Sequence, residues 1–176
     1  MEMFSFLGDV YLDKEYQADS IIDGPFVFNL EAPISNQKND PYPNKINLCT
    51  DDVNYIKNTF GKHPYGVNLA NNHIFDYGIS AFSDTLKFLD ENNIKFCGVN
   101  NSSNNQTNKI SFRFKNNKVI TILGYCCPTT NPSNKSDTLS IINENKVIND
   151  IKTIKEKNLN NFVIINLHYG EEEIKL

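Results

Sequence analysis

Several short apolar runs, each ending on polar residues that can bind a ligand, alternate along this chain with stretches of helical period. Phe4-Ser5-Phe6-Leu7 leads to Gly8-Asp9, and Phe26-Val27-Phe28 leads to Asn29-Leu30-Glu31. Tyr65 to Ala70 leads into Asn71-Asn72-His73, and Phe162 to Leu167 into His168-Tyr169-Gly170. Runs of this length are too short for buried helices and read as strands. Strands alternating with amphipathic helices predict an α/β fold, a mixed sheet flanked by helices. In such sheets ligands collect beyond the carboxyl ends of the strands. Strand ends delivering Asp9, Glu31, Asn72-His73 and His168 therefore describe a site, and its oxygen and imidazole donors suit a divalent metal.

The elements follow from period and punctuation. Residues 3–7 and 26–30 read as buried strands, and 34–47, with Pro41 and Pro43, as a loop over the strand ends. Thr50-Asp51-Asp52 predicts a helix start with acids in the first turn, Val53, Ile56 and Phe60 its apolar face, and Gly61 and Pro64 its end. A second helix is expected over 80–91, with Ala81, Phe82, Thr85, Leu86, Phe88 and Leu89 turned inward, then a short strand at 94–98. Phe112 and Phe114 alternate into Asn116-Asn117, which suits a two-residue type I′ hairpin turn, and Val119 to Leu123 returns. Residues 128–136 read as a loop. Val147, Ile148, Ile151 and Ile154 mark a third helix capped by Asn143, before the last strand at 162–167. No repeat or linker divides residues 1–176, which predicts one domain.

Composition narrows the function. At 176 residues the chain can bury about 70% of its unfolded surface. A net charge of −4 argues against a nucleic-acid partner, which calls for a basic stripe. No run approaches the roughly 18 apolar residues of a membrane span, and no signal-peptide pattern precedes Gly8-Asp9, so the sequence as written predicts a cytoplasmic protein. Cys49, Cys97, Cys126 and Cys127 lack C-x-x-C spacing; reduced thiols are favoured over a disulfide or zinc site.

Each candidate also has an ordinary explanation. Gly-Asp after a strand is commonly a turn, Asn71-Asn72-His73 can simply cap the helix that follows, and the acids at 171–173 can be a solvated run. Their recurrence at one kind of place, the strand end, favours the site.

The motifs together resemble the CapA family of capsule (poly-γ-glutamate) synthesis proteins, within the calcineurin-like metallophosphoesterase fold. The resemblance is carried by Phe6-Leu7-Gly8-Asp9-Val10, by Asn29-Leu30-Glu31-Ala32-Pro33-Ile34, and by Asn68 to Gly78 with its A-N-N-H-x-x-D-x-G pattern. It continues through Leu123-Gly124-Tyr125 and Leu167-His168-Tyr169-Gly170-Glu171-Glu172. It implies that Asp9, Glu31, Asn72 and His168 are ligands of a divalent metal (Mn, Zn or Mg). His73 would then be the general acid or phosphoryl contact, and Asn71, Asp76 and Glu172 would orient ligands or substrate. It implies a metal-dependent hydrolase acting on a cell-surface polymer or on a small phosphate- or peptide-like molecule. A non-catalytic component associated with other polymer-synthesis proteins, and a general phosphoesterase, are the alternatives. The family pattern continues past H-x-G-x-E with a G-H-H-P-H-like segment, so the resemblance implies a fold incomplete at the C-terminus and a site short of ligands.

Overall fold

The computed structural model describes residues 2–16, 22–37, 45–50, 52–101, 106–130 and 137–170. In chain order it has β1 (Ser5–Val10), β2 (Phe26–Leu30), α1 (Val53–Phe60), β3 (Gly66–Asn68), α2 (Gly78–Glu91), β4 (Lys95–Cys97), β5 (Lys109–Arg113) and β6 (Val119–Cys126). A 3₁₀ turn (Pro128–Thr130), α3 (Glu144–Lys157) and β7 (Phe162–His168) complete it. Strands β1-β2-β3-β4 form one sheet in that order and β5-β6-β7 a second. The β1–β2 and β6–β7 pairs are parallel and β5–β6 is antiparallel, so the expected mixed α/β architecture is the one observed. The contacts divide into two compact units, Met1–Val67 with Asn72–Lys95, and Asn68–Asn71 with Phe96–Leu176.

The interior strands are wholly buried. Every residue of β2 is buried, Asn29 included, and every residue of β6 is buried. Both have a hydrogen-bonded strand on each side, and with both faces covered such a strand needs no polar face. β7 is just as apolar in sequence, yet among the described residues it pairs with β6 alone, and Phe162, Ile165 and Leu167 stay exposed.

Helix faces follow the predicted period, except that Ile148, expected on the apolar face of α3, is exposed. α1 buries Val53 and Ile56 and ends at Gly61, whose left-handed φ of 75° costs a glycine little. Its start differs from expectation. Asp52 is the N-cap residue, with no side-chain cap bond and no acid in the first turn. Its carboxylate instead accepts from the Cys49 N–H at 2.8 Å, while the Thr50 hydroxyl goes to Asn36. Asp51 lies outside the described residues. α2 buries Ala81, Phe82, Thr85 and Leu89. Asn143 caps α3 as expected, its side chain accepting from the Lys146 N–H at 3.2 Å.

The hairpin turn also differs. Only Asn117 has a positive φ, whereas a type I′ turn requires two such residues. Asn117 N–H donates to Phe114 O and Phe114 N–H to Lys118 O, which gives a three-residue connection with Asn117 in the left-handed position. The two asparagines marked the turn, and the ladder bond at Phe114–Lys118 chose its type.

In the second unit α3 packs on β6 through Ile154, Leu123 and Tyr125, with Val147, Ile151 and Val163 around them. The Tyr125 hydroxyl donates to the buried Asp150 carboxylate at 2.8 Å. Removing that donor strands a buried charge, which costs about 1–3 kcal/mol. Tyr125→Phe should lower unfolding free energy in urea by that amount; a change below about 0.5 kcal/mol would show that water replaces the hydroxyl.

Candidate functional site

Asp9 is expected just beyond the first strand and is found inside it. The β1–β2 register is Phe6↔Val27 and then Asp9↔Asn29, so β1 spends one residue more than β2 over this interval. Such an irregularity re-aims the side chains after it. Here it brings Asp9 opposite Asn29 instead of Leu30. β1 continues to Val10 because Glu31 N–H donates to Val10 O at 3.2 Å.

Asn29 joins the two acids. Its Nδ2 donates to Asp9 Oδ1 at 2.7 Å and to Glu31 Oε2 at 2.5 Å. Glu31, the first residue after β2, is half-buried, whereas Asp9 is exposed. The chain leaving Glu31 is pinned to α2 by a buried threonine: Ile34 N–H donates to Thr85 Oγ1 at 2.8 Å, and that hydroxyl donates to Ala81 O. Burial first and the Asp9 charge second push the Glu31 carboxyl from 4.5 to about 8, with Asp76 adding to the rise and His73 and the Asn29 bond opposing it.

His73 lies in the bend that follows β3. Asp76 N–H donates to His73 O at 2.8 Å, a turn that folds the two side chains together, with His73 Nδ1 2.7 Å from Asp76 Oδ2. The same carboxylate oxygen accepts from Ile46 N–H at 2.9 Å, tying the end of the 34–47 stretch to this turn. Ile74 and Phe75 are buried behind it, with Phe75 stacked at a tilt on Phe82 of α2. A histidine held on a carboxylate through Nδ1 has a defined ring orientation and a stabilised imidazolium.

The first unit thus assembles Asp9, Asn29, Glu31, His73 and Asp76, with Asn72 half-buried beside His73 in sequence. Asn71 belongs to the second unit and is fully buried. His168, expected just past the last strand, is the final residue of β7; it pairs with Cys126, and its carbonyl accepts from Cys127 N–H at 2.9 Å. Glu172 lies outside the described residues, as do parts of both predicted loops (34–47 and 128–136). Asn29 is the participant that sequence reading passed over. Its signal was a lone amide in a strand otherwise wholly apolar, where a buried polar group must have partners.

Among the described residues no helix is long and apolar enough to cross a membrane. None of the four cysteines is in a disulfide, and burial raises the Cys97 thiol to about 12, which makes it inert.

These features define an α/β protein whose first sheet presents a carboxylate pair, with a carboxylate-held histidine near enough to act on the charge of Glu31. The family described as bacterial capsule synthesis protein PGA_cap matches residues 23–175, and the chain belongs to that family. It is 26% identical over 175 residues to the PGA biosynthesis protein CapA of Bacillus subtilis (strain 168), an alignment that covers 92% of this chain and 42% of that protein. The chain therefore spans less than half the length of this relative.

The raised Glu31 carboxyl has a pH consequence. The folded state holds its proton up to about 8 and the unfolded state only to about 4.5, so metal-free protein loses stability as pH rises across that window. Screening at a half-buried group limits the loss to about 1–3 kcal/mol. Urea unfolding at pH 5 and 8.5 should show this fall in the native chain and a smaller one in Glu31→Gln. Equal slopes would place the Glu31 carboxyl in the ordinary range.

Proposed function

We propose that this chain supplies the metal-binding part of a hydrolytic site of phosphoesterase type, used in making or trimming a capsule polymer of the poly-γ-glutamate kind. The observation that carries the reading is the Asp9–Asn29–Glu31 arrangement, in which one amide nitrogen holds two carboxylates whose mutual repulsion a divalent cation would relieve. The donor chemistry fits Mn²⁺, Zn²⁺ or Mg²⁺, with Asp9, Glu31, Asn72 and His168 as the ligands. Such an ion, when bound, supplies Lewis acidity toward an anionic or carbonyl oxygen.

The chain's own residues do the rest. Asn29 keeps both carboxylates facing one point. Asp76 fixes His73 through Nδ1, so that Nε2 is the ring atom assigned to the substrate, where it donates a proton to the leaving oxygen or contacts the anion. Asn71 and Glu172 are assigned to orienting ligands or substrate. The name of the Bacillus relative motivates the polymer class, and association with other polymer-synthesis proteins belongs to the same reading.

Ligand and acid roles separate experimentally. Asp9→Asn, Glu31→Gln and His168→Ala should each weaken Mn²⁺ binding at least tenfold by calorimetric titration. His73→Ala should leave that affinity within about threefold and cut hydrolysis of bis(p-nitrophenyl) phosphate by about 10²–10⁴-fold. A folded protein that binds no Mn²⁺ would instead favour a non-catalytic assembly role.

A further inference from the structure

Gly124 is out of place by ordinary strand chemistry. It sits within β6, where every residue is buried, and a glycine there weakens the strand by about 0.5–1 kcal/mol relative to alanine. Glycine inside a strand marks the close approach of another group. That group is the Asn68 side chain: a Cβ on Gly124 would overlap Asn68 Oδ1 and stand 2.8 Å from Asn68 Cγ and 3.1 Å from Cys97 Sγ. A second glycine makes room for the same carboxamide. A Cβ on Gly98 would overlap Asn68 Oδ1 and lie 2.6 Å from the Ala70 nitrogen, and Gly98 has a φ of +87° besides.

Asn68 is buried at the end of β3. Its Oδ1 accepts from Ala70 N–H at 3.1 Å, a side-chain bond to its own backbone two residues on. Leu69 N–H donates to Cys97 O and Asn71 N–H to Leu69 O, each at 3.0 Å. The amides of Leu69, Ala70 and Asn71 are therefore all committed in the three residues that lead directly into Asn72 and His73. An apolar side chain would fill the volume as well but would leave the Ala70 donor buried and unmet.

We infer that Asn68 is a positioning residue: its carboxamide, seated where Gly98 and Gly124 lack side chains, locks the 69–71 turn and so fixes the course of the chain into Asn72 and His73. The metal-affinity arm of the test rests on the ligand reading proposed above; the lock itself does not.

Asn68→Ala, Asn68→Ser and Gly124→Ala should be compared in the full chain for amide hydrogen exchange at Ala70 and Asn71, Mn²⁺ affinity and thermal midpoint. Asn68→Ala should speed exchange at both amides at least tenfold. It should also weaken Mn²⁺ binding about tenfold, as the loss of a ligand-orienting partner does, in protein whose circular dichroism is native. Asn68→Ser keeps a hydroxyl able to accept from Ala70 N–H and should recover part of both. Gly124→Ala should reproduce the Asn68→Ala effects, and the double variant should be no worse than either single one, since both remove the same contact. Should Asn68→Ala not fold, Gly124→Ala and Asn68→Ser carry the comparison. A lowered midpoint with exchange and Mn²⁺ affinity both unchanged would overturn the inference and leave Asn68 a core residue. If the unaltered chain binds no Mn²⁺, the ligand reading fails, and exchange at Ala70 and Asn71 alone decides for or against the lock.

Discussion

The Asn29 side chain sits between two carboxylates, donating 2.7 Å to Asp9 and 2.5 Å to Glu31 from a single nitrogen. Like charges a few ångström apart repel by several kcal/mol where solvent is partly excluded, about 4 kcal/mol at an effective dielectric of 20. Burial raises the Glu31 carboxyl most, the Asp9 charge adds to it and the amide bond opposes both, so Glu31 keeps its proton to about pH 8. The surrounding structure sustains the arrangement. The β1 irregularity brings Asp9 level with Asn29, β2 buries the amide, and Thr85 holds the chain that leaves Glu31. Together they bring two carboxyl groups to one amide at the end of a parallel pair.

His73 and Asp76 supply a complementary group from one tight turn, closed by its own backbone bond and backed by Ile74 and Phe75. The link from sequence to site is local here: A-N-N-H-x-x-D places the imidazole and carboxylate three residues apart, and the turn brings them to 2.7 Å. The buried carboxamide of Asn68 lies upstream on the same stretch, so a run of eleven residues from Asn68 to Gly78 contains both the proposed lock and the histidine it serves.

Much of this was legible before the structure, and the exceptions have physical causes. β2 was legible as a buried strand from its apolar residues, and β6 as the return strand of the hairpin. β7 shows the same pattern with partly exposed side chains, since hydrophobicity alone does not say how many neighbours a strand has. Helix interiors followed the 3.6 period, while the start of α1 did not, because Asp52 satisfies the Cys49 amide in place of a helical one. The hairpin position was readable from Asn116-Asn117 and its type was not, that being set by a backbone bond across the loop. Asp9, Glu31 and His73 stood out by residue type and place. Asn29 and Asn68 did not, because a buried amide becomes meaningful only when its distant neighbours are known, Asp9 at 20 residues from Asn29 and Cys97 at 29 from Asn68.

The central claim, that the Asn29-bridged carboxylates form a cation site, is tested most directly by counting protons. Calorimetric titration of Mn²⁺ at pH 7 in buffers of differing ionisation enthalpy measures how many protons leave on binding. Glu31 holds its proton at that pH in metal-free protein, so the account predicts release of close to one proton, abolished in Glu31→Gln. Binding with no proton release, or release unchanged by that substitution, would contradict it.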